Sequence, residues 1–213
     1  MSEETKSPEE LREEKLKAAA EARAARAAAR AQAKAAAESA GQAESGGQEE
    51  EPKPSPNQPL LDRLVEIIKA EVGEEAIAEA FINEKDDHLP CLVVPAEHLL
   101  ETMRVMKHHP ELRLNYLRNV AGTDRETHME VIYHLISLDS VREYGIKVKT
   151  DRDQPSIPSV VSLYETANWQ EREIYDLLGI QFPGHPDLRR ILLPDDWVGH
   201  PLRKDYEPLD PEV

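Results

Sequence analysis

The stretch from Trp169 to Tyr206, WQEREIYDLLGIQFPGHPDLRRILLPDDWVGHPLRKDY, begins as a helix and continues in a form that excludes one. From Trp169 to Leu178 no breaker interrupts the chain, and Ile174, Leu177 and Leu178 share a helical face with Ala167 and Leu163. Glu171, Arg172, Glu173 and Asp176 are expected on the remaining surface, and Gly179 is placed to end the helix. Beyond it stand Pro183, Pro186, Pro194 and Pro201, each without an amide donor and each biasing the preceding residue away from helical angles. The segment is therefore extended, yet it carries Phe182, Ile191, Leu192, Leu193, Trp197 and Leu202. It needs a surface to lie on. Arg189, Arg190, Arg203 and Lys204 alternate with Asp187, Asp195, Asp196 and Asp205, a mixture that suits another protein better than a phosphate backbone.

Charge and composition narrow the field further. A formal net charge of -16 and a pI near 4.9 count against nucleic acid or an anionic membrane as the main partner. The single cysteine, Cys91, excludes a disulfide framework, an iron–sulfur cluster or a Cys-rich zinc site built from this chain alone, and its apolar neighbours point to a buried strand thiol. No apolar run approaches the roughly 20 residues that span a bilayer. The acids at Glu3, Glu4, Glu9, Glu10, Glu13 and Glu14 argue against a transit peptide, so a soluble bacterial protein of the cytoplasm is expected.

Ser7, Pro8 and Glu10 read as a helix start, and the Ala-rich run to Ala40 has no proline or glycine to break it. It lacks large apolar residues, and Arg23, Arg26, Arg30 and Lys34 fall on one face as a solvated basic stripe. Gly41 to Pro59 has the composition of a disordered linker. The spacing then predicts a helix over Leu60–Ile68 and a second short one over Ala76–Phe81. A buried strand follows at His88–Val94, a helix at Ala96–Lys107 with Leu99, Leu100, Met103 and Met106 inward, and a strand and turn from Leu112 through Gly122. Alternation over Met129–Ser137 and Ile146–Val148 predicts two antiparallel neighbours. The expected fold is α+β: helices packed on a small mixed, mainly antiparallel sheet, with an extended C-terminal tail and a helical or disordered N-terminal extension. The divisions are 1–40, 41–59, 60–178 and 179–213.

Few residues suggest chemistry. His108 and His109 diverge at a helix end, where a helix-dipole role suffices. His185 and His200 each sit in a Gly-His-Pro triplet near aspartates, in extended segments, which suits hydrogen bonding to backbone or to a partner better than metal ligation. Glu171 and Glu173 point to different sides and form no acid–base pair, whereas Glu173 and Asp176 share a face with Arg172. No phosphate loop, nucleophile elbow or Cys–His pair is present.

The order Glu171-Arg172-Glu173, then Asp176, Leu177 and Leu178, then His185, Arg189, Ile191 and Leu192, resembles the signature of the 30 kDa subunit family of respiratory NADH:quinone oxidoreductase, complex I. Gly199 to Tyr206 is similar to the family's continuation. The resemblance is strong over the last fifth of the chain and looser from about residue 60; the N-terminal extension lies outside it. It implies a structural subunit of the hydrophilic arm, peripheral on the cytoplasmic side of a bacterial plasma membrane, docked beside the large quinone-site (49 kDa type) subunit. It implies no FMN, iron–sulfur cluster or quinone on this chain, these belonging to partner subunits. It further implies a partner interface at Glu171, Arg172, Glu173, Asp176, His185, Arg189, Arg190, Trp197, His200, Arg203, Lys204 and Tyr206, with residues from about 179 to 206 becoming ordered only against a partner and Trp197 as an anchor. Alternatives are an energy-converting hydrogenase or related complex, and a free-standing His/Asp metal hydrolase.

Overall fold

The computed structural model describes residues 55–207. The expectations for the 1–40 extension and for most of the 41–59 linker lie outside them. Helix α1 (Gln58–Glu71) starts inside the expected linker, because Pro59 in its first turn has no amide to leave unbonded. Its buried stripe is Leu61, Leu64, Ile67 and Ile68.

The short helix expected over Ala76–Phe81 is not formed. A 3-10 turn occupies Glu74–Ala76, and the chain then extends as β1 (Glu79–Asn83), antiparallel to β2 (Leu89–Val93) with Phe81 opposite Cys91. Ala76, Ile77, Ala80 and Phe81 fit a helical period, but pairing with a wholly buried neighbour strand overrides so weak a local preference. Cys91 is buried, as expected, with its thiol pushed up to about 11 by that burial.

After a 3-10 turn at Ala96–His98, helix α2 (Leu99–His108) buries Leu99, Met103 and Met106. The strand and turn expected up to Gly122 prove to be one longer strand, β3 (Tyr116–Asp124), and the reversal falls at residues 125–128 instead. Gly122 serves packing. A Cβ there would stand 2.6 Å from Leu178 Cδ1 and 3.0 Å from Ile174 Cγ2, so the missing side chain lets the last helix lie directly on the strand.

Strands β4 (Met129–Ile136) and β5 (Glu143–Thr150) pair antiparallel, as their alternation predicts, with Tyr133 opposite Ile146. The sheet order is β1-β2-β5-β4-β3, antiparallel except for the β2–β5 pair, which agrees with the expected mixed, mainly antiparallel sheet. Buried residues of the three helices and of the sheet, among them Leu64, Met103, Leu178, Leu92, Tyr133 and Ile146, join in one core cluster. Helix α3 (Ala167–Leu178) packs over β3 at the sheet edge and ends on Gly179, whose φ of 77° is the left-handed cap that glycine adopts without steric cost.

Candidate functional site

The residues after α3 are bound to their own domain from the first turn. Ile180 and Phe182 are core residues, and the main chain there pairs with the Pro155–Ser159 segment: Ile157 N donates to Gln181 O, Gln181 N to Pro155 O and Ser159 N to Pro183 O. The expectation that the tail needs another protein before it orders is thus corrected for this part. Phe182 finds its apolar surface inside the chain.

Helix α3 supplies the means. Glu171 and Asp176, expected on the surface, are both completely buried. Glu171 lies three residues before Ile174 and seven before Leu178, on the core side of the helix, and its carboxylate accepts Ser159 Oγ at 2.6 Å and Val160 N at 2.8 Å. It fixes the segment that the tail pairs with. Burial pushes its pKa up to about 7, against which the two hydrogen bonds pull downward. The hydroxyl of Tyr133, also fully buried, feels the Glu171 charge and has no hydrogen-bond partner among the described residues.

Asp176 holds the next stretch. Its Oδ2 accepts the consecutive amides of Ile191, Leu192 and Leu193 at 3.1, 2.8 and 3.0 Å, a nest of three donors around one charged oxygen, while Oδ1 takes Arg190 Nη1 at 2.8 Å. Burial raises its pKa, but these four donors outweigh burial and hold it below the usual carboxylate range. One turn earlier, Arg172 donates to the carbonyls of Arg189 and Arg190. Arg172 and Asp176, on one helical face, therefore grip opposite polar groups of the same five tail residues.

A helix leaves its last four carbonyls without intrahelical donors. Here the tail satisfies each of them. Gly179 N donates to Tyr175 O, His200 Nδ1 to Asp176 O at 2.9 Å, Leu202 N to Leu177 O at 3.0 Å, and Arg203 Nε to Leu178 O at 2.7 Å. Arg203, and Arg190 whose Nη1 also donates to Asp176 O, bring positive charge to the negative end of the helix dipole. The imidazole of His200 occupies the space over Gly179, where a Cβ would lie 2.5 Å from Nε2. His185 belongs to the same scheme: Asp187 N donates to its Nδ1, so Nε2 carries the proton and donates to Asn168 O. Of the two roles expected for both histidines, hydrogen bonding to a partner or to the chain's own backbone, the second is what they do here.

A third hold fastens the far end. Asp124, buried at the end of β3, receives Arg152 through both oxygens at 2.9 and 2.8 Å and also Lys204 N at 3.0 Å. Arg152 continues to Asp205 at 2.8 Å, and Lys204 Nζ reaches Glu126. With Arg152 beside it, Asp124 is held well below the usual carboxylate range. Tyr206 lays its ring against Gly199. Asp124, Arg152 and Ser159 carry no local signal that would have singled them out, since their partners stand 28, 80 and 12 positions away.

The remaining expected residues face solvent. Arg189 pairs with Asp187 across an exposed surface, and Glu173 is exposed. Trp197 is 41 % exposed, and with it Leu192 at 61 %, Val198 at 75 % and Leu202 at 58 %. Many polar groups of the tail are engaged by its own domain, while Leu192, Trp197, Val198 and Leu202 stay exposed.

The sequence profile of the family described as "Respiratory-chain NADH dehydrogenase, 30 Kd subunit" matches residues 92–212. A protein of Moorella thermoacetica that is named as one of the subunits of NADH-quinone oxidoreductase is 48% identical over 120 residues, covering 55% of this chain and 80% of that one. Its namesake from Roseiflexus sp. is 48% identical over 122 residues, 56% of this chain and 70% of the other. A chain in the structure of the membrane-bound sulfane sulfur reductase, an archaeal respiratory membrane complex, shares the fold with a TM-score of 0.55 at 22% identity, over 70% of this chain and 86% of that chain. The matched residues hold α2, β3 to β5, α3 and the whole described tail, and the chain belongs to the 30 kDa subunit family of respiratory-chain NADH dehydrogenase.

Proposed function

We propose that this chain is a structural subunit in the hydrophilic arm of a proton-pumping NADH:quinone oxidoreductase, peripheral on the cytoplasmic side of a bacterial plasma membrane. It docks beside the large quinone-site subunit through its C-terminal tail and takes part in electron transfer from NADH to quinone only within the assembly. FMN, iron–sulfur clusters and quinone belong to the partner subunits in this reading. Cys91, the single cysteine, is buried and its thiol is pushed away from the thiolate that a cluster would need.

The observation that carries the reading is the sidedness of the tail. Arg172, Asp176, Arg190, His200 and Arg203 hold it to its own domain, while Leu192, Trp197, Val198 and Leu202 are left exposed within eleven residues. Apolar side chains held out on a pre-ordered segment lower the entropic cost of docking, and a partly exposed tryptophan among them is the residue type that dominates interface energies. Trp197→Ala in the tagged full chain, recovered from membranes in mild detergent, is expected to lose the co-purifying large subunit and the NADH:quinone reductase activity. Intact recovery and activity would show that Trp197 is not the anchor. The electron donor used by the purified assembly identifies the holoenzyme.

A further inference from the structure

β3 is the last strand of the sheet, so its outer edge has no strand partner among the described residues. No side chain or loop of those residues bonds the outward main-chain groups from Arg118 to Thr123; the nearest such bond is Thr166 Oγ1 to Leu117 O, at the start of the strand. Beside this edge lies a groove of about 230 Å³ lined by Asn119–Gly122, by Glu173, Ile174 and Leu177 of α3, and by Leu202 of the tail. Natural sheets cover or charge such an edge, and this one is left open next to a groove of mixed lining, with Ile174, Leu177 and Leu202 as its apolar part.

Glu173 stands on the rim of that slot with no hydrogen bond or ion pair among the described residues. Arg172, its neighbour in sequence, is engaged with the carbonyls of Arg189 and Arg190, and Arg190 with Asp176. A solvated carboxylate at the mouth of the groove is complementary to a basic side chain on whatever segment fills it. A second copy of this chain is a poor occupant: edge-to-edge pairing would set the two Glu173 carboxylates toward one another, in a protein of net charge -16. Residues 208–213, with Asp210 and Glu212, bring the wrong charge as well.

We infer that the β3 edge and its groove receive an extended segment of a partner subunit, which adds to the sheet through its main chain, places an apolar side chain against Leu177 and Leu202, and sets a Lys or Arg on Glu173. The inference rests on the docking reading above and extends it from the outer side of the tail to a second, contiguous strip that shares Leu202. Its recognition is by charge and main-chain pairing, where that of the tail is apolar.

The test places a benzophenone amino acid at position 119 of the tagged full-length chain in intact membranes and identifies the cross-linked peptide by mass spectrometry. The expected product joins position 119 to a segment of a co-purifying subunit that carries a Lys or Arg within about two residues of the cross-link. Adding Glu173→Lys is expected to lower its yield at least tenfold, and Glu173→Gln to lower it less. Glu173 is exposed and unbonded, so both variants keep the melting temperature of the parent. Cross-links between two copies, cross-links to a segment without a basic residue, or a yield unchanged by Glu173→Lys would overturn the inference while the assembly still co-purifies. Failure of the parent chain to recover any partner would overturn the docking reading and this inference together.

Discussion

Replacing Asp176 by alanine tests the clasp at its centre. The carboxylate is fully buried and takes four donors, the amides of residues 191–193 and the guanidinium of Arg190, whose own side chain is only 14% exposed. Hydrogen bonds to a charged acceptor contribute about 1.5–3 kcal/mol each, but residues 191–193 are close enough to the surface for water to replace part of the loss. Breaking a buried ion pair by removing one partner costs roughly 3–5 kcal/mol, and the lower end applies here. At about 1.4 kcal/mol per decade, the opening equilibrium of the tail shifts by about two orders of magnitude. Trypsin reads that shift directly, because Arg189 and Arg190 lie inside the clasp and native-state cleavage follows the open population. Cleavage there is expected to accelerate about 100-fold in Asp176→Ala and less in Asp176→Asn, which keeps one acceptor. A rate within threefold of the parent would refute the assignment of Asp176 as the clasp. The pH dependence has a fixed sign: the folded pKa is lowered, so the contribution is complete above about 3.8 and is lost only as pH falls below it.

Three further outcomes follow from neighbouring groups. Glu171 has its pKa raised from 4.5 to about 7, so the folded state holds the proton more tightly and stability falls as pH rises through that window, by roughly 3 kcal/mol. Glu171→Gln is expected to remove this slope in urea unfolding measured between pH 4.5 and 8, and an identical slope in both proteins would contradict it. Gly179→Ala forces a Cβ into the left-handed region and onto His200, and should lower stability by about 2–3 kcal/mol, with the His200 imidazole resonances displaced in NMR spectra. Arg152→Ala leaves Asp124 buried without its bidentate partner; hydrogen exchange at the Lys204 amide should rise while that of Leu193 holds, because the two holds are separate.

Much of the fold could be read from periodicity. The β4–β5 pair and helix α3 with its glycine stop follow from alternation, helical spacing and one cap residue, all local signals. β1 was hidden because Ala76, Ile77, Ala80 and Phe81 satisfy a helical period equally well, and only β2, brought alongside by the turn at 84–88, decides between the two. The candidate site was legible as a string of residues but not in its direction. Charge made Glu171 and Asp176 look like surface groups, although their spacing to Ile174 and Leu178 already set Glu171 on the inner face. What holds them there is distant in sequence: Ser159 for Glu171, residues 190–193 for Asp176. A buried carboxylate becomes tolerable only through partners that folding supplies, and no local pattern announces those.

The most direct measurement is amide hydrogen exchange on the full chain, alone and within the membrane-derived assembly. In the isolated chain the amides of Ile191, Leu192, Leu193 and Leu202 are expected to be protected already, and the peptide holding Trp197 and Val198 to gain protection only in the assembly. Exchange of residues 191–193 at the rate of an unstructured segment would contradict the intrachain clasp. Equal exchange at Trp197 and Val198 in both states would contradict docking through the outer side of the tail.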